Sequence, residues 1–176
     1  MTADPRFPIG KANLENNLSP EKRSQLIATI ASTPAQLRAA IKGLTPEQLD
    51  TPYRDGGWTV RQVVHHLPDS HMNAFLRTKL ALTEDNPTIK AYNEDAFARL
   101  GDVTATPIEV SLQLLESLHQ RWDILLRSMR AEDFARTFNH PERGPLTLDL
   151  NLCIYAWHGP HHVAHITALK EKMGWK

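Results

Sequence analysis

Apolar residues recur along the chain mostly at steps of three and four, the spacing of one face of an α-helix, and the runs repeatedly open on a Ser or Thr followed by Pro. Ser19-Pro20 predicts a first helix through Leu26, Ile27 and Ile30; Thr33-Pro34 restarts it through Leu37 and Ile41, and Gly43 stops it. Thr45-Pro46 begins a short turn. Thr59 with Gln62 forms a capping-box pair for a second long helix, ending near Leu82. Residues 83–105 carry Asn86, Pro87 and Gly101 and read as a long connection holding one short helix, Asn93 to Leu100. Thr106-Pro107-Ile108-Glu109 starts a third long helix with Leu115, Leu118, Trp122, Leu125, Leu126 and Met129 on one stripe. A turn-rich segment, His140 to Pro145, precedes a fourth, from about Thr147 towards Met173. Four long helices with one long crossover predict an all-α four-helix bundle.

With 176 residues, no repeat and no Ser/Gly linker, the pattern fits one domain spanning 1–176. Lys and Arg equal Asp and Glu at 20 each, so the basic excess that a phosphate backbone demands is absent and nucleic acid is not an expected partner. The longest apolar run, Leu152 to Trp157, falls far short of the ~20 residues of a membrane span, and the opening MTADPRFPIG has no apolar signal region. The expectation is a cytoplasmic protein without a membrane partner. The single cysteine, Cys153, suits a reducing compartment and reads as a buried small hydrophobe.

Seven of the nine histidines fall in two windows, His65 to His71 and His158 to His165, on two different predicted helices. The second window offers two i,i+4 pairs, His158/His162 and His161/His165, each able to share an ion across one helical turn. Pro160 cannot donate to the carbonyl of Ala156, so a kink is expected between His158 and His162, and the favoured pair is His161 and His165 in the regular stretch beyond it. A third ligand should come from the first window. With Val60, Val63, Val64, Leu67, Ala74 and Phe75 as the buried face, His65 points away; His66, on a polar stripe with Gln62, Asp69 and Asn73, and His71, nearer the middle of the apolar face, both remain open. Asp69 could orient His66 or accept a proton, and Tyr53, Arg54 and Asp55 either line the pocket or form a tight turn into the helix.

The cues for other chemistries are missing. The residue after His161 is His162 where a zincin helix carries a Glu base, and GxSxG, the P-loop, GxGxxG and CxxC do not occur.

The run LDTPYRDGGWTVRQVVHHL (Leu49 to Leu67), then DSHMNAF, YAWHGPHHVAHI (Tyr155 to Ile166) and a terminal MGW resembles the YfiT-type metal-dependent hydrolases of the DinB superfamily over nearly the whole chain, with Trp58 and Trp157 flanking the two His segments. The resemblance implies a DinB-like four-helix bundle, a cytoplasmic homodimer, and one divalent ion per subunit, zinc or nickel, held by His66, His161 and His165. Pro68 and Pro160 depart from the expected pattern, each freeing a helix carbonyl near a ligand window. Three neutral imidazoles leave one position open on a tetrahedral ion, as catalytic zinc sites do. Water there gives a hydrolase acting on a small molecule, the first expectation. Relatives in the superfamily transfer low-molecular-weight thiols such as bacillithiol, so thiol S-transfer is the second, and a non-catalytic metal- or ligand-binding bundle is the third. No side chain of the sequence declares itself as the catalytic acid or base.

Overall fold

The computed structural model describes residues 4–175; residues 1–3 and 176, the ends of the expected 1–176 domain and the start of the opening segment read for a signal region, lie outside the described residues. Four long helices dominate: α1 Pro20–Ile41, α3 Val60–Thr83, α6 Ile108–Ser128 and α7 Leu148–Met173, with short α2 Pro46–Leu49, α4 Glu94–Phe97 and α5 Gly101–Ala105 between them. The start signals act as their chemistry dictates. Ser19 accepts from the Lys22 amide, Thr147 from Leu150, and the Thr45/Gln48 and Thr59/Gln62 pairs each close a full capping box.

Three expectations shift. Pro34 does not divide the first helix, which runs unbroken through it. The third long helix begins one residue late, with Pro107 rather than Thr106 at the cap and no side-chain cap bond. The crossover carries two short helices, because Gly101 begins α5 instead of marking a turn. The turn-rich segment before α7 is a small antiparallel hairpin, β1 Thr137–His140 with β2 Gly144–Thr147, turning through Gly144 at φ 72°. Asn139 tethers this hairpin to the crossover by accepting from the Ile89 amide and donating to the Pro87 carbonyl.

The long helices form a square: α1 packs on α6 and α7, and α3 on the same two. Consecutive long helices α1 and α3 therefore sit across a diagonal, as do α6 and α7. The buried face of each helix follows the heptad-like step of three and four: Val60, Val64, Leu67, His71, Ala74, Thr78 and Ala81 on α3, and Leu148, Leu152, Tyr155, Gly159, His162, Ile166 and Leu169 on α7. Histidines occupy stripe positions that apolar side chains would otherwise fill. Cys153 is buried, and burial pushes its thiol up. Among the described residues no helix is long and apolar enough to cross a membrane.

Helices α1 and α7 approach closely at Gly159, where a Cβ would stand 2.5 Å from both Cγ2 and Oγ1 of buried Thr33. Gly159→Ala should therefore destabilise the bundle by about 1–3 kcal/mol through overpacking, outweighing the ~1 kcal/mol that Ala gains in helix propensity. Adding Thr33→Ala removes the obstructing atoms, and denaturant midpoints should show most of the loss recovered in the double variant.

Candidate metal centre

The site lies where α3 meets α7. Its N-terminal edge is set by the YRDGGW turn: the Gly57 amide donates to the Arg54 carbonyl, and that of Tyr53 to the Trp58 carbonyl. A Cβ on Gly57 would meet Arg54 Cγ at 2.7 Å, so the close turn depends on glycine there. Trp58 is pinned from the crossover, its Nε1 donating to Asp95 at 2.9 Å, and Gln62 donates to the Ala98 carbonyl at 2.9 Å. The Trp58 ring then leans on His66 (centroids 4.6 Å) and runs parallel to His162 (6.2 Å).

Beneath Trp58, ligand nitrogens of His66, His158 and His162 all lie within 4.8 Å of one another, the one such cluster among the described residues. His66 Nε2 is 3.3 Å from His158 Nε2. That separation matches the ~3.4 Å edge expected between two nitrogens on a tetrahedral ion with ~2.1 Å bonds. His158 and His162, one turn apart on α7, face each other edge-on at 4.5 Å between centroids, and His162 meets His66 at 4.9 Å. No carboxylate belongs to the cluster, and burial holds His66 down at about 4 and both His158 and His162 well below the usual imidazole range. Neutral imidazoles with facing lone pairs are the donor set that a borderline-soft divalent cation takes.

The geometry thus pairs His66 with His158 and His162 rather than with His161 and His165. Helix α7 is continuous through Pro160. The turn from 158 to 162 is closed by the amide of residue 162 on the carbonyl of 158, a bond in which Pro160 takes no part. The proline removes one donor to Ala156 and leaves the histidine face intact. His161 and His165 stand on the neighbouring face, their rings 4.3 Å apart; His161 stacks on Trp157 at 4.1 Å and His165 on Tyr53 at 4.0 Å. Both still line the cavity of about 680 Å³ that opens over the cluster. Tyr53 and Arg54 line it too, so the YRDGGW segment is both turn and wall, while Asp55 borders an adjoining depression. The cue for His162 was present in the sequence: it continues the buried stripe of α7.

His65 does not point to solvent. It is buried against α6, with Nδ1 2.7 Å from Ser111 Oγ. His71 is fully buried, as its place on the apolar face predicts, but beside the cluster rather than in it. Asp69 is half-buried, does not line the cavity, and makes no ion pair among the described residues. Burial, with a smaller contribution from Asp102, pushes its carboxyl up to about 6. A carboxyl raised above its unfolded value costs stability that is absent below about pH 4 and grows as the pH rises through 6. Asp69→Asn should therefore stabilise the protein by about 1 kcal/mol at pH 7.5, a figure discounted for the half-exposed site, and the gain should vanish in denaturant titrations at pH 4. Metal affinity should not change.

The chain matches the DinB superfamily over residues 29–166. A Bacillus cereus protein named "Putative metal-dependent hydrolase" is 53% identical over 172 residues, covering 98% of this chain and 99% of its own, and a similarly named protein of Bacillus thuringiensis subsp. konkukian shares the same identity and coverage. The solved structure of YfiT from Bacillus subtilis, described as a probable metal-dependent hydrolase with an unusual four-helix bundle topology, superposes with a TM-score of 0.95 at 47% identity, over 98% of this chain and 99% of that one. Another solved four-helix bundle protein shares the fold at a TM-score of 0.57 and 20% identity, over 80% of this chain and 94% of its own. With its helices in this arrangement and its histidines gathered between α3 and α7, the chain belongs to the DinB superfamily.

Proposed function

We propose that the protein is a metal-dependent hydrolase of small molecules, with one divalent ion, zinc or nickel, held by His66, His158 and His162. The observation that carries the reading is the convergence of three imidazoles, His66 and His162 buried and His158 half-buried, with no fourth His, Cys or carboxylate in the cluster among the described residues. Structural zinc sites are closed by four protein ligands, whereas catalytic ones keep a position for water or substrate. When bound, such an ion supplies Lewis acidity, polarising a substrate carbonyl and lowering the pKa of a water or thiol beside it.

The residues around the cluster bind and orient. Trp58 and Tyr53 wall the cavity with aromatic faces and hold His162 and His165 by stacking. Arg77 and Arg143 line the cavity near His140 and have no carboxylate partner among the described residues, which favours a substrate with an anionic group. The relatives named as metal-dependent hydrolases support the reaction class.

The test is a panel of activated amides and esters, neutral and carboxylate-bearing, offered to protein purified without a metal-affinity tag, then to chelated and zinc- or nickel-reloaded protein. The expected result is turnover that chelation removes, metal restores and His158→Ala lacks. Turnover only when a small thiol is added would replace hydrolysis with thiol transfer. Stoichiometric metal without turnover on any member would favour a bundle that binds but does not react.

A further inference from the structure

One end of the histidine cluster continues into the protein as a row of histidines that crosses all four long helices. His158 Nδ1 on α7 lies 3.1 Å from His71 Nε2 on α3; His71 Nδ1 lies 2.8 Å from His119 Nε2 on α6; His119 Nδ1 lies 2.8 Å from the backbone carbonyl of Ile30 on α1. His71 and His119 are among the most buried polar residues of the chain, and both sit on core stripes where Leu or Ile would pack as well. Burying imidazoles at such positions costs free energy unless every ring nitrogen is partnered, and here each one is.

The direction of the row follows from its anchor. A carbonyl can only accept, so His119 Nδ1 must carry the proton, and the neutral ring then offers a lone pair at Nε2. His71 must donate to that lone pair from Nδ1, which leaves its own Nε2 as an acceptor. His158 must donate to it from Nδ1, which leaves His158 Nε2 bare and turned towards His66 and His162. The opposite polarity would put a proton on His158 Nε2, where a cation must bind. We propose that His71 and His119 are positioning residues that, from the Ile30 carbonyl, fix the tautomer and ring orientation of His158 and so present its Nε2 lone pair to the metal. Edge-on contacts from Trp122 and Tyr155 hold the His71 ring in plane for this task (centroids 6.0 and 5.2 Å). The proposal rests on His158 being a ligand.

Long-range ¹H–¹⁵N correlation spectra of the metal-free, full-length protein, labelled at histidine, read the tautomers directly. All three rings are expected to be neutral with the proton on Nδ1 at pH 7.5, and His158 should lose that single form in His71→Leu. Zinc titration calorimetry supplies the second readout. His71→Leu and His119→Leu should weaken binding ~10–100-fold, as loss of an outer hydrogen-bond partner does. His71→Gln keeps an acceptor facing His158 Nδ1 and should restore most of the affinity. An Nε2-protonated His71 or His119 in the wild-type spectrum overturns the proposal, as does wild-type affinity in His71→Leu. His158→Ala separates the two readings: unchanged zinc affinity there would remove the ligand assignment itself, whereas its loss alongside the wrong tautomers would remove only the relay.

Discussion

Alanine at His158 or His162 is expected to strip the protein of tightly bound metal, while alanine at His161 or His165 leaves it at full stoichiometry. The distinction tests adjacent residues of one helix. His66, His158 and His162 bring their nitrogens within 4.8 Å of one another, and two imidazoles cannot satisfy a tetrahedral ion alone. Removing one of three ligands should cost more than the ~10–100-fold typical of an outer-shell partner, so loss of two decades or more in affinity is expected for His66→Ala, His158→Ala and His162→Ala. His161 and His165 are held instead by Trp157 and Tyr53, and their truncation should alter the shape of the cavity wall and hence substrate binding. Elemental analysis of untagged protein with competitive chelator titrations reads the result. Metal lost from His161→Ala and kept by His158→Ala would reverse the assignment.

The second large effect is acid instability of the metal-free protein. Burial holds both His66 and His119 at about 4, against about 6.5 in an unfolded chain. Between those values the unfolded state binds more protons, so stability rises with pH there. The contribution is complete above about pH 6.5 and is lost as the pH falls through 4. At 1.36 kcal/mol per unit each residue should give up about 2 kcal/mol by pH 5 and about 3 kcal/mol by pH 3.5. His71, His158 and His162 are shifted in the same direction. Asp69 works against them, but it is one half-buried group. Set against a total stability of about 5–15 kcal/mol, two such histidines alone remove a large share. Denaturant unfolding at pH 7.5 and pH 5 should show a drop of at least about 4 kcal/mol without metal. Bound metal should shift the loss to lower pH, because ligands that hold a cation cannot also hold protons. Equal stability at the two pH values would show that these rings are not buried neutral.

The sequence was most legible where one residue's chemistry decides the structure locally. Ser19, Thr59 and Thr147 each satisfy free amides at a helix start, and each marks its helix to within a residue. The hairpin before α7 was not legible in the same way. Its strands are four residues each, and Asn139 pairs with Pro87 and Ile89 of the crossover, about 50 residues earlier. No local pattern announces a partner that distant. Within the site, two clustered His windows on two helices announced an imidazole centre, and His66 stands in it. The choice on α7 turned on the kink expected at Pro160, and the resemblance implied the same pair. Packing against α1 at Gly159 and against α3 keeps the helix continuous. The hydrogen bond missing at Pro160 does not interrupt the helix, which runs 26 residues in one piece. The row through His71 and His119 was invisible for a different reason: hydrogen bonds between rings on separate helices depend on how those helices are placed, and in sequence each looks like a lone core histidine.

Crystals grown with zinc or nickel and measured at the metal's absorption edge address the central claim most directly, since anomalous scattering locates the ion without reference to any side chain. One peak is expected at ~2.1 Å from nitrogens of His66, His158 and His162, with no fourth side chain in contact. A peak seated between His161 and His165, or one closed off by a fourth protein ligand, would contradict it.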